Sequence, residues 1–265
     1  VMGAGIPVSH GFQAFSKVAM GGEGLGIVAA PPDVSGGIVS TCLREFPGVV
    51  VTDVASVKEA VVGDVLASWA VSESDEAGAP DVAGLRKSDL ARYVGSHPMA
   101  GRARSGASHA DGDLFIRRPW VIVPTEYSSP SSVTAIRNLA VDVGAVPMEL
   151  GPLEHDEAVA LVSHVPQLVS SLLAARLATA SLDALGLAGQ GLRDTTRIAA
   201  SDPGLWTAII AGNADKVALV LADLRDDLDG LVRGLDAGGI QSDRAIAPGG
   251  AGAIAKVMTA GNQGV

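Results

Sequence analysis

An α/β domain with a largely parallel sheet, followed by an all-helical domain, is the fold class this 265-residue sequence predicts. Three observations carry it. Short apolar runs rich in β-branched residues alternate with helical patterns as far as Leu150, which indicates βαβ units. From Gly151 onward only helical periodicity is visible. The composition is 48% apolar but 3% aromatic, so the core is built from small aliphatic side chains, as helix-covered sheets and helical bundles often are. The expected domains are therefore 1–150 and 151–265.

The elements follow in order. LGIVAAPP (Leu25 to Pro32) reads as a strand, Val34 to Glu45 as a helix, GVVVTDVAS (Gly48 to Ser56) as a strand, and Val57 onward as a helix. Ser72 to Ser88 has the polar, Gly/Pro-containing composition of a surface insertion. Two further strands are expected near Arg92 to Pro98 and Pro119 to Thr125. SPSSVTAIRNLAVDVG then reads as a capped helix ending at Gly144, and AVPMEL as the last strand. In the helical part, Pro152 marks a helix start with acids in its first turn, as the helix dipole favours. DPGLWTAIIAGNADKVALVLADLRDDLDGLVRGL predicts one or two long amphipathic helices, whose apolar faces call for a partner subunit. The tail after Ala237 is Gly-rich and weakly patterned.

Charge narrows the partners. A net charge of −10 opposes nucleic acid and anionic membrane surfaces, so an anionic small molecule would need focused arginines. The single cysteine, Cys42, allows no intramolecular disulfide and no thiolate metal cluster, as in a reducing compartment. No secretory leader and no uncharged apolar run of about 18 residues stand out; the expectation is a cytoplasmic protein with no nucleic acid and no membrane.

Several motifs bear on chemistry. VMGAG, with Gly3 and Gly5, resembles the start of a dinucleotide fingerprint, in which glycines let the backbone approach a pyrophosphate. Val8 occupies the place of the third glycine, and only 24 residues precede Leu25, so this half is expected to be abbreviated or incomplete. Ala30 and Pro31 end the first strand, and Ser56 in TDVASVK ends the second, at the sheet edge where such folds bind nucleotides; Ser56 equally reads as a helix N-cap. YVGSHPMAGRARSG holds His97 between Ser96 and Pro98, a backbone-defined place for proton transfer. VSHVPQ offers Ser163, His164 and Gln167 on one helix; GLRDTTRIAASDP places Arg193 and Arg197 one turn apart, either as a carboxylate clamp or paired with Asp194 or Asp202. Glu154-His155-Asp156 suggests a metal-hydrolase pair, but His10 and His109 lack ligand spacing to it and the acids fit a helix first turn, so no metal is expected.

Taken in order, TDVASVK, YVGSHPMAGRARSG, PWVIVPT, EHDEAVALVSHVPQ and GLRDTTRIAASDPGLW with Asn213 resemble the prephenate/arogenate dehydrogenase family of tyrosine biosynthesis over roughly Leu25 to Leu235. The resemblance implies a Rossmann-like nicotinamide-binding domain, a helical domain forming a homodimer, and an active site between the two. It implies NAD or NADP as cofactor and oxidative decarboxylation of prephenate or arogenate. His97 would be the base, Ser56 would lie near the hydroxyl and nicotinamide, and Arg197 would hold the ring carboxylate. Gly3, Gly5, Ala30, Pro31 and Ser56 would meet the cofactor; Ser96, Ser163, His164, Gln167 and Arg197 the substrate. Gln167 stands where some members have a second histidine, and Ala103 where many have an acid. The alternatives are a non-catalytic binding protein that keeps the fold, or a dehydrogenase for an amino-substituted prephenate analogue.

Overall fold

Parallel pairing of β1 (Gly24–Val28) with β2 (Val49–Asp53), in register from Gly24 opposite Val49 to Val28 opposite Asp53, opens the fold. The computed structural model describes residues 24–73, 85–101, 110–237 and 248–265. By its internal contacts the chain divides into two compact units, Val1–Ala214 and Asp215–Val265.

In the first unit, α1 (Pro32–Glu45) crosses from β1 to β2, and α2 (Glu59–Glu73) follows. Pro32 starts α1 without sacrificing a helical hydrogen bond. Val39 and Leu43 of α1, Val49 and Val51 of β2, and Val62 and Val65 of α2 fill the core between them. The two helices pack closely: a Cβ added to Gly36 would sit 2.4 Å from Asp64 Cβ. After the short α3 (Lys87–Leu90), Arg92 donates to the carbonyl oxygens of Phe46 and Val49 at 2.9 and 2.8 Å, tying the α1–β2 turn to the next strand.

The next three strands are β3 (Gly95–Pro98), β4 (Pro119–Val123) and β5 (Val146–Glu149). The β4–β5 pair is parallel, whereas β3 runs antiparallel to β4, with His97 opposite Val121. The pairings are parallel as expected apart from this one step, where β3 reaches β4 by a connection with no crossover helix among the described residues. A parallel bridge between Val51 and Tyr93 joins β2 to the β3 side. α4 (Pro130–Asp142), capped by the Ser129 hydroxyl accepting from the Ser132 N–H, covers this sheet with Ile136 and Ala140. Gly144, at φ 77°, supplies the left-handed turn that returns the chain into β5.

Beyond Gly151 come α5 (Pro152–Val159), a π-helical turn (Ala160–His164) and α6 (Val165–Leu177). Pro166 offers no N–H to the turn before it, so the ladder re-forms with a wider loop. By length and composition the run Pro152–Leu177 could cross a membrane, which corrects the expectation that no such stretch exists. Its buried face, however, holds His155, Asp156, His164 and Gln167, all bonded within the fold, as in a core helix of a folded domain. The short α7 (Leu182–Gly186), α8 (Gln190–Thr196), a 3₁₀ turn (Arg197–Ala200) and α9 (Pro203–Ala211) complete the first unit.

The second unit holds most of α10 (Ala214–Ala237) and α11 (Pro248–Gln263). The amphipathic segment after Asp202 thus forms two helices, broken at Gly212-Asn213. The weakly patterned tail contains a full helix, α11, which its many glycines had obscured because glycine is a poor helix former.

Candidate active site

The residues converge where β2, β3 and α5 meet. His97, half-buried at the end of β3, places its Nδ1 2.9 Å from Nε2 of His155, and the rings meet edge-on with centroids 5.1 Å apart. The His155 Nδ1 lies 2.6 Å from Asp156 Oδ1. Asp156 in turn accepts the backbone N–H of Lys58 at 2.8 Å and of Glu59 at 2.9 Å. These are free donors at the start of α2, so a carboxylate from a distant helix does what an N-cap does locally. The N-cap reading of Ser56 is corrected accordingly: the helix begins at Glu59, and its free donors go to Asp156.

Behind this line lies a second buried network. Lys58 is fully buried and ion-pairs with Asp53, which also accepts the Tyr93 hydroxyl at 2.8 Å and the Ala55 N–H at 3.0 Å. Burial, reinforced by the Asp53 carboxylate, pushes the Tyr93 hydroxyl well above its usual range, so it serves as a fixed donor. Asn213 donates to the Asp156 carbonyl at 2.7 Å and lies 3.2 Å from His164 Nδ1. Burial pushes His164 down to about 4, with His155 adding to the fall and Asp156 opposing it. His97 is also held well below the ordinary histidine range, by burial first and then by His155, Lys58 and His164. Both imidazoles are therefore neutral near pH 7.

The expected site residues separate into groups. His97 and His164 join one hydrogen-bonded line through His155, Asp156 and Asn213. Ser56, half-buried, has no hydrogen-bond partner among the described residues and sits two residues before Lys58, on the loop that Asp156 anchors. Ser96 is fully buried; its hydroxyl donates to the Asp53 carbonyl and accepts from Thr52, so it ties β3 to β2 rather than facing a ligand. Gln167 donates to the Ile198 carbonyl at 2.9 Å and Ser170 to that of Thr195 at 2.7 Å; together they clamp the segment carrying Arg197 to α6. Arg197 is exposed, and among the described residues neither it nor Arg193 has an ion-pair partner. Asp194 is taken by Gln190, and Asp202 caps α9. Ser163 is half-buried on the π turn. Gly3, Gly5, His10, Ala103 and His109 lie outside the described residues, as does most of the expected insertion from Ser72 to Ser88.

At the nucleotide edge, Ala30-Pro31 and Ala55-Ser56 follow the carboxyl ends of two adjacent parallel strands, where open α/β sheets bind nucleotides. Ser35 donates to the carbonyls of Ala30 and Pro31, both at 3.0 Å, and so fixes the first turn. These small, backbone-rich turns fit a nicotinamide nucleotide. The side chains that sequence reasoning missed are Asp156, which had read as a first-turn acid, His155, weighed only as part of a metal-hydrolase pair, and Lys58, given no role within TDVASVK. For His155 and Asp156 a signal was present, an imidazole and a carboxylate adjacent in a helical run that also carries the exposed Leu153, Leu161 and Val162; Lys58 had none.

The chain is similar to known proteins over much of its length. A family model for the prephenate dehydrogenase nucleotide-binding domain matches residues 81–149, and one for the prephenate dehydrogenase dimerization domain matches 151–242. Together these cover more than half of the chain. The chain belongs to the prephenate dehydrogenase family. Among family relatives, the probable prephenate dehydrogenase NovF of Streptomyces niveus is 37% identical over 166 residues, 58% of this chain and 46% of its own length. The chain thus spans about half the length of that relative. A crystal structure from Corynebacterium glutamicum, provisionally named a prephenate dehydrogenase, matches with TM-score 0.76 and 27% identity, over 97% of this chain and 76% of its own. The arogenate dehydrogenase of Synechocystis matches with TM-score 0.69 and 26% identity, over 96% of this chain and 83% of its own.

Proposed function

We propose that the chain carries the catalytic core of an NAD(P)-dependent dehydrogenase that oxidatively decarboxylates prephenate or arogenate. The observation that carries this reading is the state of His97: neutral, with one ring nitrogen committed to His155 and the other uncommitted among the described residues. A neutral imidazole held at a fixed angle at a strand's end is a competent acceptor for a hydroxyl proton near pH 7. Ser56 is proposed to orient that hydroxyl, and Arg197, without an ion-pair partner and clamped through Ile198, to bind the ring carboxylate.

Ala30, Pro31 and Ser56, with Gly3 and Gly5, are the proposed cofactor contacts; Ser163, His164 and Gln167 flank the substrate, Gln167 chiefly by positioning the Arg197 segment. When bound, the nicotinamide supplies the hydride acceptor. The protein's own task is alignment of base, hydroxyl and carboxylate, because aromatisation drives the decarboxylation. We place the domain boundary at Gly151, where the two family matches meet, and propose a cytoplasmic homodimer, supported by the dimerization-domain match.

The test is an absorbance assay of NAD and NADP reduction with prephenate and with arogenate, paired with fluorescence titration by NADH and NADPH. Turnover with one substrate is expected. Cofactor binding without turnover on either would sink the assigned substrates, and binding of neither cofactor would favour a non-catalytic protein.

A further inference from the structure

We propose that His155 and Asp156 form a relay behind His97 that fixes its tautomer and draws the abstracted proton's charge toward Asp156, which at the same time anchors the Ser56 loop. This rests on the dehydrogenase reading for its catalytic consequence, but its geometry stands by itself.

The tautomers follow from one end of the line. Asp156 meets only donors: the N–H groups of Lys58 and Glu59 and the Nδ1 of His155. A carboxylate that only accepts requires His155 to carry its proton on Nδ1, which leaves His155 Nε2 as a lone pair. At 2.9 Å that lone pair faces His97 Nδ1, which must then carry the proton and donate. The basic lone pair of His97 is thereby fixed on Nε2, the nitrogen turned away from His155. Without Asp156 nothing in the line selects this state.

The charges around the line give the direction of transfer. The groups facing His97 are His155 from α5, Lys58 from the loop before α2, and His164 from the π turn; Asp53 pairs with Lys58. Buried Lys58 opposes a positive charge on His97, whereas Asp156, 2.6 Å from His155, favours one on His155. During oxidation the substrate O–H proton passes to His97 Nε2; a bound nicotinamide would supply the acceptor for the carbinol hydride, and the ring carboxylate would leave as carbon dioxide. The Nδ1 proton of His97 moves toward His155 Nε2, so the added charge comes to rest against Asp156. The same carboxylate holds the start of α2 and with it the loop bearing Ser56, so base and hydroxyl-orienting residue share one anchor. His155 and Asp156 are positioning residues; neither needs to touch substrate.

The experiment uses the full chain and two variants. His155→Gln keeps an acceptor for His97 and leaves Asp156 capping α2, but cannot take a proton; Asp156→Asn removes the charge. The expected result is near-normal cofactor binding with kcat lowered about tenfold to a hundredfold in His155→Gln and further in Asp156→Asn. The acid limb of the kcat/KM profile moves to lower pH in Asp156→Asn, because the charge shared by His97 and His155 has lost its counter-ion, and to higher pH in His155→Gln, because a neighbour that holds His97 down is gone. Imidazole ¹⁵N shifts should report His97 as the Nδ1–H tautomer in the parent and a mixture in Asp156→Asn. Unchanged kcat and acid limb in both variants would overturn the relay, as would an Nε2–H tautomer in the parent. A rise in KM with lower thermal stability and an unmoved limb would reduce both residues to scaffolding and also overturn it. Failure of the dehydrogenase reading looks different: the parent has no turnover while the tautomer measurement still stands.

Discussion

At the residue scale, two histidines with the same bias toward neutrality have different consequences. For His97 the proposed consequence is catalytic. His97→Asn is expected to bind cofactor normally and to lose about a hundredfold to ten-thousandfold in kcat, the usual worth of a positioned base; turnover within a few-fold of the parent would remove His97 from that role. Arg197→Ala should instead raise KM, by about tenfold to a hundredfold, since it deletes one charge-assisted contact of about 1.5–3 kcal/mol from an exposed side chain. For His164 the consequence is stability. Its pKa is about 4 in the fold against an ordinary 6.5, so the unfolded chain binds the proton more tightly. The stabilisation is complete above pH about 6.5 and is lost as pH falls toward 4, by up to about 3 kcal/mol. Urea titrations of the parent and of His164→Gln across that window should show a shallower pH slope in the variant, and parallel slopes would refute the assignment.

At the element scale, the sequence made the strands and most helices readable, because their signals are local. Alternation of β-branched runs with helical patterns, Pro at helix starts and Gly144 at a helix end are all short-range rules, and β1, β2, β4, α1 and α4 lie where those rules put them. What escaped depends on partners far apart in sequence. The antiparallel β3–β4 pairing is set by a connection, and the role of Asp156 appears only when residue 156 meets residues 58 and 59. His97 was legible because Ser96 and Pro98 mark a fixed backbone, whereas Ser96 itself turned out to bind the neighbouring strand. The π turn before Pro166, which turns buried His164 toward Asn213, has no strong local signature beyond the proline. The α1–α2 contact offers a test at this scale. In Gly36→Ala the new methyl would lie 2.4 Å from Asp64 Cβ and 3.2 Å from the Val61 carbonyl oxygen, so the helices must move apart. That overpacking costs about 1–3 kcal/mol and outweighs the roughly 1 kcal/mol by which alanine favours a helix over glycine. A lower urea midpoint is expected, and an equal or higher one would mean the helices separate freely.

At the scale of the whole molecule, the distribution of apolar surface points to a second copy of the chain. On α5 and the π turn, Leu153, Leu161 and Val162 are exposed while His155, Asp156 and His164 are buried, the reverse of what a helix facing water prefers. On α10, Leu224, Leu228, Val232 and Leu235 are all exposed, and at 100° per residue they fall within about 80° of one another. Asp223 and Asp226 lie on the opposite side, so the face is one apolar stripe with a charged back. A stripe of this kind is what a self-complementary interface uses, because each leucine that one copy offers meets the same surface on the other. Its position within the dimerization-domain match, residues 151–242, supports that use. The chain is expected to run as a dimer at micromolar concentration in light scattering coupled to size exclusion. Leu228→Glu places two unpaired carboxylates in the apolar contact and should raise the dissociation constant by about two orders of magnitude or more, giving monomers at the same concentration. Asp226→Ala, on the charged back of the helix, should leave the dimer intact. If Leu228→Glu stays fully dimeric, the contact between copies is made by another surface and the stripe on α10 is not part of it.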